Sequence, residues 1–256
     1  MASARNATLD KIRAMPAATN HPVFLQPADT NAKLWRYMDF TKYLWLLESS
    51  ALYFSRIELL GDPFEGTTTA ARNQAVLDML ERAPGSEYKQ KEWIEHNARF
   101  RQQVRRGLFV NCWHMSTHES EAMWRLYAKT DESIAIQTTY TRLVDAFDEA
   151  VLVGAVRYVD YEEAVFPMSH DALWPAVHKR KSFEHEREIR AIKLAMDEGS
   201  EPLGHSVSVD LPNLVERVHV SPNSPHWYFP LVEKLTRRFD YEFPITKSRL
   251  SEQPVY

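Results

Sequence analysis

The chain has 256 residues, of which 44% are hydrophobic and 12% aromatic, and its formal net charge is −4. This composition is typical of a globular protein with a sizeable core, and the negative charge argues against a nucleic-acid binder with a basic surface over the whole domain. With a single cysteine, no apolar run of about 20 residues and no signal-peptide core at the start, the sequence predicts a soluble, cytoplasmic protein without a membrane role.

The first half of the chain predicts an arm, two strands and a helical insertion. Residues 1–32 are rich in Ala, Asn and Pro and predict a peripheral arm, and residues 33–256 predict one domain. In LWRYM large and polar residues alternate as in a strand, and FTKYLWLLESS has helical spacing. A second strand, LYFSR, leads into the turn GDPFEG, and the composition of residues 70–106 predicts two helices joined by a turn.

The second half mixes strands and helices. Strands are predicted for GLFVNCWHM, SIAIQTTY, VGAVRYVDY, EIRAIKLA, HSVSVDL, ERVHVSP and YEFPITKSRL. Helices are predicted for HESEAMWRLYAK, TRLVDAFDEAV, ALWPAVHKRKSFEHE and PHWYFPLVEKLTRRF. The interspersed order predicts an α+β or mixed α/β domain, in which helices flank a central mixed sheet.

The segment that ends at Arg190 carries the densest group of charges. If it is one strand, Glu186, Glu188 and Arg190 project from one face, because side chains alternate with period two. Such a group is either a general base with its orienting partner or a structural ion pair. Lys179 and Lys181 come just before it and either bind a phosphate or carboxylate or form a solvated face.

Charged residues also interrupt the first two strands and the turn that follows them. Arg36 and Arg56 each need a partner or an open cleft. Asp62 is either a turn former or a functional carboxylate, with Arg36 or Arg56 as its expected partner under both readings. We therefore expect the three residues to converge with the Glu186, Glu188 and Arg190 group.

Aromatic and histidine residues follow the next strand. Trp113 is either a core residue or a stacking platform for a nucleobase, and His114 lies beside it. We expect no metal site, because a single cysteine is present and no paired histidine motif occurs. The sequence also lacks a Walker loop, a dinucleotide glycine fingerprint and a Gly-x-Ser-x-Gly elbow, which disfavours the chemistries that depend on them.

Several segments in their order resemble a bacterial family, domain-of-unknown-function family 2971, over residues 33–250. They are LWRYMDF, LYFSRIELLGDPFEG, NCWHMSTHESEAMWRLYAK with SIAIQTTY, KRKSFEHEREIR and VSPNSPHW. This chain has Gly61 where the family usually has Asn, and Phe183 where it often has Trp. The chemistry of the family is unassigned, so this resemblance implies a fold without a reaction.

The order of elements also resembles, more distantly, the ADP-ribosyltransferase superfamily. The shared features are a polar residue, Arg36, on the first strand, a helix, later strands and a final Glu-x-Glu pair, Glu186 and Glu188. This resemblance implies NAD as a substrate, Glu188 as the catalytic carboxylate and Arg36 as a phosphate ligand, although the serine or tyrosine signature of the superfamily is not plain here. The alternative is a non-catalytic module, such as a sensor in a stress or phage-defence system, that recognises an anionic ligand.

Overall fold

A computed structural model of the chain describes residues 21–82, 86–164, 173–195, 202–252 and 254, with 86–90 described by their backbone alone. These residues form one α+β domain around a mixed sheet of nine strands, as the sequence predicts. No helix within these ranges combines the length and the apolar character needed to cross a membrane. Residues 1–20, most of the predicted arm, lie outside the described residues.

The strands are short, and most of them pair antiparallel. They are β1 (Lys33–Asp39), β2 (Ala51–Arg56), β3 (Leu108–Met115), β4 (Ser133–Thr139), β5 (Leu152–Ala155), β6 (Arg157–Val159), β7 (His178–Arg180), β8 (Glu188–Leu194), β9 (Gly204–Ser208), β10 (Arg217–Val220) and β11 (Ile245–Lys247). The pair β6 and β7 forms a separate parallel ribbon.

Seven α-helices lie in the described residues, and all but the short helix at 211–214 fall in segments predicted to be helical. They are α1 (Phe40–Ser49), α2 (Ala70–Glu81), α3 (Ser86–Gly107), α4 (Glu121–Tyr127), α5 (Tyr140–Asp145), α6 (Leu211–Leu214) and α7 (Tyr228–Arg238). Short 3₁₀ helices span Ile57–Leu59, Trp174–Val177, Lys181–Glu186 and Arg249–Ser251. The helices α2 and α3 confirm the insertion predicted over residues 70–106.

The sheet divides at β3. One edge of β3 pairs with β8 from Leu108 to His114. The other edge is shared, because β2 pairs with it at Phe109 and Val110 whereas β1 pairs with it at His114 and Met115. Between these two pairings, residues 111–113 have no strand partner on that edge among the described residues. We call this gap the fork.

Two apolar layers hold the sheet. On one side, residues of β1, β4 and β8 such as Leu34, Ile134 and Ile189 pack with α1 and α7. On the other side, Val104 of α3 packs with Leu108, Val110 and Ile192. Val23 and Phe24 belong to this second layer and are 2% and 3% exposed, so the end of the predicted arm is part of the core.

The helix predicted over ALWPAVHKRKSFEHE is wrong. The structure has two 3₁₀ helices there, separated by the extended strand β7, which pairs with β6. Pro175 lies in the first turn of the first of these helices, and Lys179 of β7 is buried by contacts with three carboxylates. Tertiary contacts with distant residues therefore override the local helical pattern.

Candidate functional site

Arg190 lies at the centre of a buried group of charges and is fully buried. Its Nε donates to Glu188 Oε1 at 2.9 Å, and its Nη2 donates to Glu188 Oε2 at 3.0 Å. The same Nη2 lies 2.9 Å from both carboxylate oxygens of Glu65, and Nη1 donates to the Ala176 carbonyl at 2.8 Å. Arg190 therefore binds two carboxylates from separate parts of the chain.

Lys179 adds a second cation to this group. Its Nζ lies 2.5 Å from Glu186 Oε2, 3.2 Å from Glu65 Oε1 and 3.5 Å from Glu188 Oε2. We call Glu65, Lys179, Glu186, Glu188 and Arg190 the charge cluster. All five are buried, and a buried ion is tolerated only when it is paired.

Backbone geometry at Arg187 brings both predicted carboxylates into the charge cluster. The prediction that Glu186, Glu188 and Arg190 share one strand is wrong for Glu186, which ends a 3₁₀ helix, and right for the other two, which lie on β8. Arg187 joins the two elements at φ 41° and ψ 56°, in the left-handed region that non-glycine residues seldom occupy.

The charges fix the ionisation of the charge cluster. Burial on its own raises the pKa of Glu188, but Arg190 and Lys179 outweigh it and lower the pKa to about 2. Burial on its own lowers the pKa of Lys179, but Glu188 and Glu65 outweigh it and raise the pKa above its ordinary value. Glu188 is therefore a fixed anion at neutral pH.

Aromatic and thiol groups form the walls around the two carboxylates. Tyr127 of α4, which is 45% exposed, donates its hydroxyl to Glu186 Oε1 at 3.1 Å. Tyr158 of β6 accepts the backbone N–H of Glu188 at 2.8 Å. Burial, together with the negative charge of Glu188, raises the pKa of the Cys112 thiol. His114 Nδ1 lies 2.6 Å from the Glu186 carbonyl.

Arg36 fills the fork beside the charge cluster. Its Nη1 donates to the Cys112 carbonyl at 2.6 Å, at a position where β3 lacks a strand partner, and its guanidinium lies 5.9 Å from the Trp113 ring centre. Burial lowers the pKa of Arg36, and Cys112, Tyr127 and Glu188 partly offset that effect. No carboxylate in the described ranges lies within 4 Å of this half-buried guanidinium.

The expected partners of Asp62 are wrong. Asp62 pairs with Arg180, whose Nε and Nη2 donate to its two oxygens at 3.0 Å and 2.8 Å. Arg56 pairs instead with Glu58 at 2.7 Å, and its Nε and Nη1 are buried without a hydrogen-bond partner in the described part of the chain. Within the described ranges, neither Asp62 nor Arg56 forms an ion pair or a hydrogen bond with the charge cluster through its side chain, although Arg180 directly follows Lys179.

The remaining predicted site residues divide between core and surface. Trp113 is 1% exposed and donates its indole N–H to Asn111 Oδ1, so its ring belongs to the core. Lys181 is exposed. Among the described residues no three histidine, cysteine or acidic side chains are grouped as a metal site would require.

Sequence reasoning missed the roles of Glu65 and Tyr158 in this site. Glu65 lies in the GDPFEG turn, where a carboxylate among apolar and turn-forming residues is a feature that could have marked it as a site residue. Tyr158 gave no signal, because tyrosine is a common residue in strands such as the one predicted over VGAVRYVDY.

A separate surface groove of about 490 Å³ lies between α1 and α7. It is lined mainly by apolar side chains, and its charged residues are Glu48 and Arg238. Both helices pack on the side of the sheet that holds the apolar layer of Leu34 and Ile189. The charge cluster together with Arg36, and not this groove, is the candidate functional site, because ionised carboxylates lie there beside an arginine without a carboxylate partner in the described ranges.

The fold and site define an α+β domain whose divided sheet carries a buried cluster of carboxylates and cations. No protein-family model matches the chain, so the resemblance to family 2971 is not confirmed. No curated protein matches it either.

Solved structures of one protein, DarT of Thermus sp. 2.9, are similar to the chain along most of its length. The complex with carba-NAD+ has a TM-score of 0.39 and 8% identity over 88% of this chain and 97% of that chain. The complex with ADP-ribosylated ssDNA has a TM-score of 0.43 and 6% identity over 90% and 100%. The complex with NAD+ has a TM-score of 0.40 and 8% identity over 89% and 100%. Such values establish no shared function.

Proposed function

We propose that the protein is an enzyme that acts on a nucleotide-like ligand such as NAD and transfers its ADP-ribosyl group. The observation that carries the proposal is an ionised, buried Glu188 within electrostatic reach of Arg36, a half-buried arginine without a carboxylate partner in the described ranges. This combination offers a fixed negative charge beside a guanidinium whose charge no carboxylate of the described ranges neutralises.

Glu188 supplies the charge that the reaction needs. Cleavage of the bond between nicotinamide and ribose develops positive charge on the ribosyl group, and a fixed carboxylate stabilises that charge. Because Arg190 and Lys179 hold Glu188 in place, its charge needs no reorganisation during the reaction.

Arg36 and Glu186 supply binding and orientation. A guanidinium binds two phosphate oxygens at once, so Arg36 is assigned to the phosphates of the ligand. Tyr127 is half-exposed and donates its hydroxyl to the buried Glu186, so this pair connects the charge cluster to solvent. We assign them to the ribose hydroxyl groups.

The second candidate is a non-catalytic module that recognises an anionic ligand at the same place. It is favoured by the way in which Arg190 binds both oxygens of Glu188, since this arrangement is typical of a structural ion pair. The two candidates agree on ligand binding and differ on turnover.

Thermal unfolding with and without NAD tests the binding that both candidates share. A ligand at about one hundred times its dissociation constant stabilises the folded state by about 2.7 kcal/mol, which raises the melting temperature by roughly 5–10 °C. We expect NAD to give such a rise in the wild type and in Arg237→Ala, which alters a 73% exposed side chain of α7. Arg36→Ala and Arg36→Lys should both reduce it strongly.

Arg36→Lys keeps the positive charge but lacks the paired N–H donors of a guanidinium. A smaller rise in melting temperature with NAD in Arg36→Lys would therefore show that these paired donors bind the ligand. An equal response to NAD in all four proteins, or no response in the wild type at millimolar NAD, would refute the assignment of Arg36.

A further inference from the structure

The C-terminal half of α3 carries four arginines and no acidic residue. They are Arg99, Arg101, Arg105 and Arg106, and residues 97–107 contain no Asp or Glu. Arg101 and Arg105 are four residues apart and therefore lie on one face of the helix. This face meets α2, whose first turn contains Arg72 and no acidic residue.

Side-chain contacts place two of these arginines, Arg101 and Arg105, at one junction with Arg72 of α2. Arg101 Nη2 donates to Asn73 Oδ1 at 2.6 Å, which ties it to α2 beside Arg72. The side chain of Arg105 lies over Gly66, where a Cβ would approach Arg105 Cγ to 3.2 Å. The junction thus lies between α2, α3 and the end of the GDPFEG turn.

The positive charge at this junction has no counter-ion within the described residues. No carboxylate in these ranges lies within 4 Å of Arg72, Arg101 or Arg105. Burial, and then the like charge of Arg72, lowers the pKa of Arg101 to about 10. Arg105 Nε is shielded from solvent and has no acceptor in the described part of the chain.

The backbone adds to the positive potential. Helix α2 has twelve residues and begins beside Arg72, so the positive end of its dipole lies at the junction. An arginine in the first turn of a helix is unfavourable for the same reason. An anion bound there would reduce both repulsions.

We propose that Arg72, Arg101 and Arg105 form a second anion site that binds a phosphate group. The paired N–H donors of a guanidinium match the oxygens of phosphate, and a bound phosphate would give Arg105 Nε the acceptor that the described part of the chain does not supply. The site shares no residue with the charge cluster and does not depend on the proposed transferase activity. Its ligand is either inorganic phosphate or the phosphomonoester of a small molecule.

Titration of the full chain with inorganic phosphate and, separately, with glycerol 3-phosphate tests the proposal. Calorimetry at constant ionic strength, with chloride as the reference anion, measures the affinities. We expect Arg101→Gln and Arg72→Gln each to weaken binding about tenfold or more. Arg99→Gln is the matched control, because Arg99 lies on the same helix with an exposed side chain that donates to the backbone carbonyl of Glu95. This substitution should change the affinity for phosphate less than about twofold.

The two ligands identify the source of the phosphate. Equal affinity indicates free phosphate, tighter binding of glycerol 3-phosphate indicates a phosphomonoester, and both results support the site. If Arg101→Gln does not fold, Arg72→Gln gives the same test, because its side chain makes no described hydrogen bond. Phosphate binding no tighter than chloride, or an equal loss in Arg99→Gln and Arg72→Gln, would overturn the proposal.

Arg36→Ala separates this site from the proposed function. It removes a residue of the first site and should leave phosphate affinity at the second site unchanged. If Arg36→Ala loses NAD binding and keeps phosphate binding, both proposals stand. If Arg36→Ala loses NAD binding and phosphate binding together, the two sites are not separate and the proposal of a second site is refuted.

Discussion

Replacing Glu188 by Gln should destabilise the fold by an amount that follows from its ion pairs. The substitution keeps the shape of the side chain and removes the charge that Arg190 and Lys179 share. The fall in the pKa of Glu188 from 4.5 to about 2 corresponds to roughly 3 kcal/mol at about 1.36 kcal/mol per pKa unit. This value agrees with the loss of about 3–5 kcal/mol that is typical when one partner of a buried ion pair is removed.

This change in free energy should be visible in thermal unfolding at pH 7. For a domain of this size, 1 kcal/mol shifts the melting temperature by about 2–4 °C, so Glu188→Gln should melt roughly 6–12 °C below the wild type. Glu184→Gln is the matched control, because Glu184 is an exposed carboxylate of the adjoining 3₁₀ helix. A fall of less than about 1 °C in Glu188→Gln, equal to that of the control, would refute the structural account of the ion pair.

The remaining predictions concern pH, backbone strain and the burial of residues 23 and 24. The pKa of Glu188 is lower in the folded state than in the unfolded state, so its contribution to the free energy of unfolding is present above about pH 4.5 and is lost as the pH falls towards 2. Urea titrations should therefore show a smaller acid-induced loss of stability in Glu188→Gln than in the wild type. Arg187→Val should destabilise by roughly 1–2 kcal/mol more than Arg187→Gly, since a β-branched residue is strained at φ 41°; equal urea midpoints would contradict this. Phe24→Ala should lower stability by roughly 3–5 kcal/mol because Phe24 is 3% exposed, and calorimetry showing no loss would place residues 21–32 outside the core.

Local patterns predicted the part of the site that lies on one strand. Glu188 and Arg190 are two residues apart on β8, and the period of a strand placed them on one face, where they pair. Helices and strands with long apolar patterns were predicted for the same reason, as in β1, α1 and α7.

The rest of the site depends on contacts that no local pattern encodes. Lys179 lies in a segment with helical character but becomes extended because it pairs with β6 and binds three carboxylates. Glu186 enters the charge cluster through the left-handed backbone of Arg187, which the sequence does not signal. Asp62 was expected to bind an arginine, and the correct one, Arg180, is more than a hundred residues away in the chain.

The fork follows from pairing between strands that are distant in the sequence. Its existence depends on β1 and β2 sharing one edge of β3, and sequence patterns do not specify the order of strands in a sheet. Arg36 was singled out as a charge within an apolar strand, but its role in satisfying the Cys112 carbonyl was visible only in three dimensions.

Release of nicotinamide from NAD tests the proposed enzyme most directly. Purified protein is incubated with NAD, and free nicotinamide is followed by chromatography in the wild type, Glu188→Gln, Arg36→Ala and the control Arg237→Ala, at a temperature at which circular dichroism shows all four to be folded. We predict release by the wild type and by Arg237→Ala, and a loss of about a hundredfold or more in Glu188→Gln and Arg36→Ala. Stabilisation of the wild type by NAD without any nicotinamide release would contradict catalysis and leave the binding module as the function of the site.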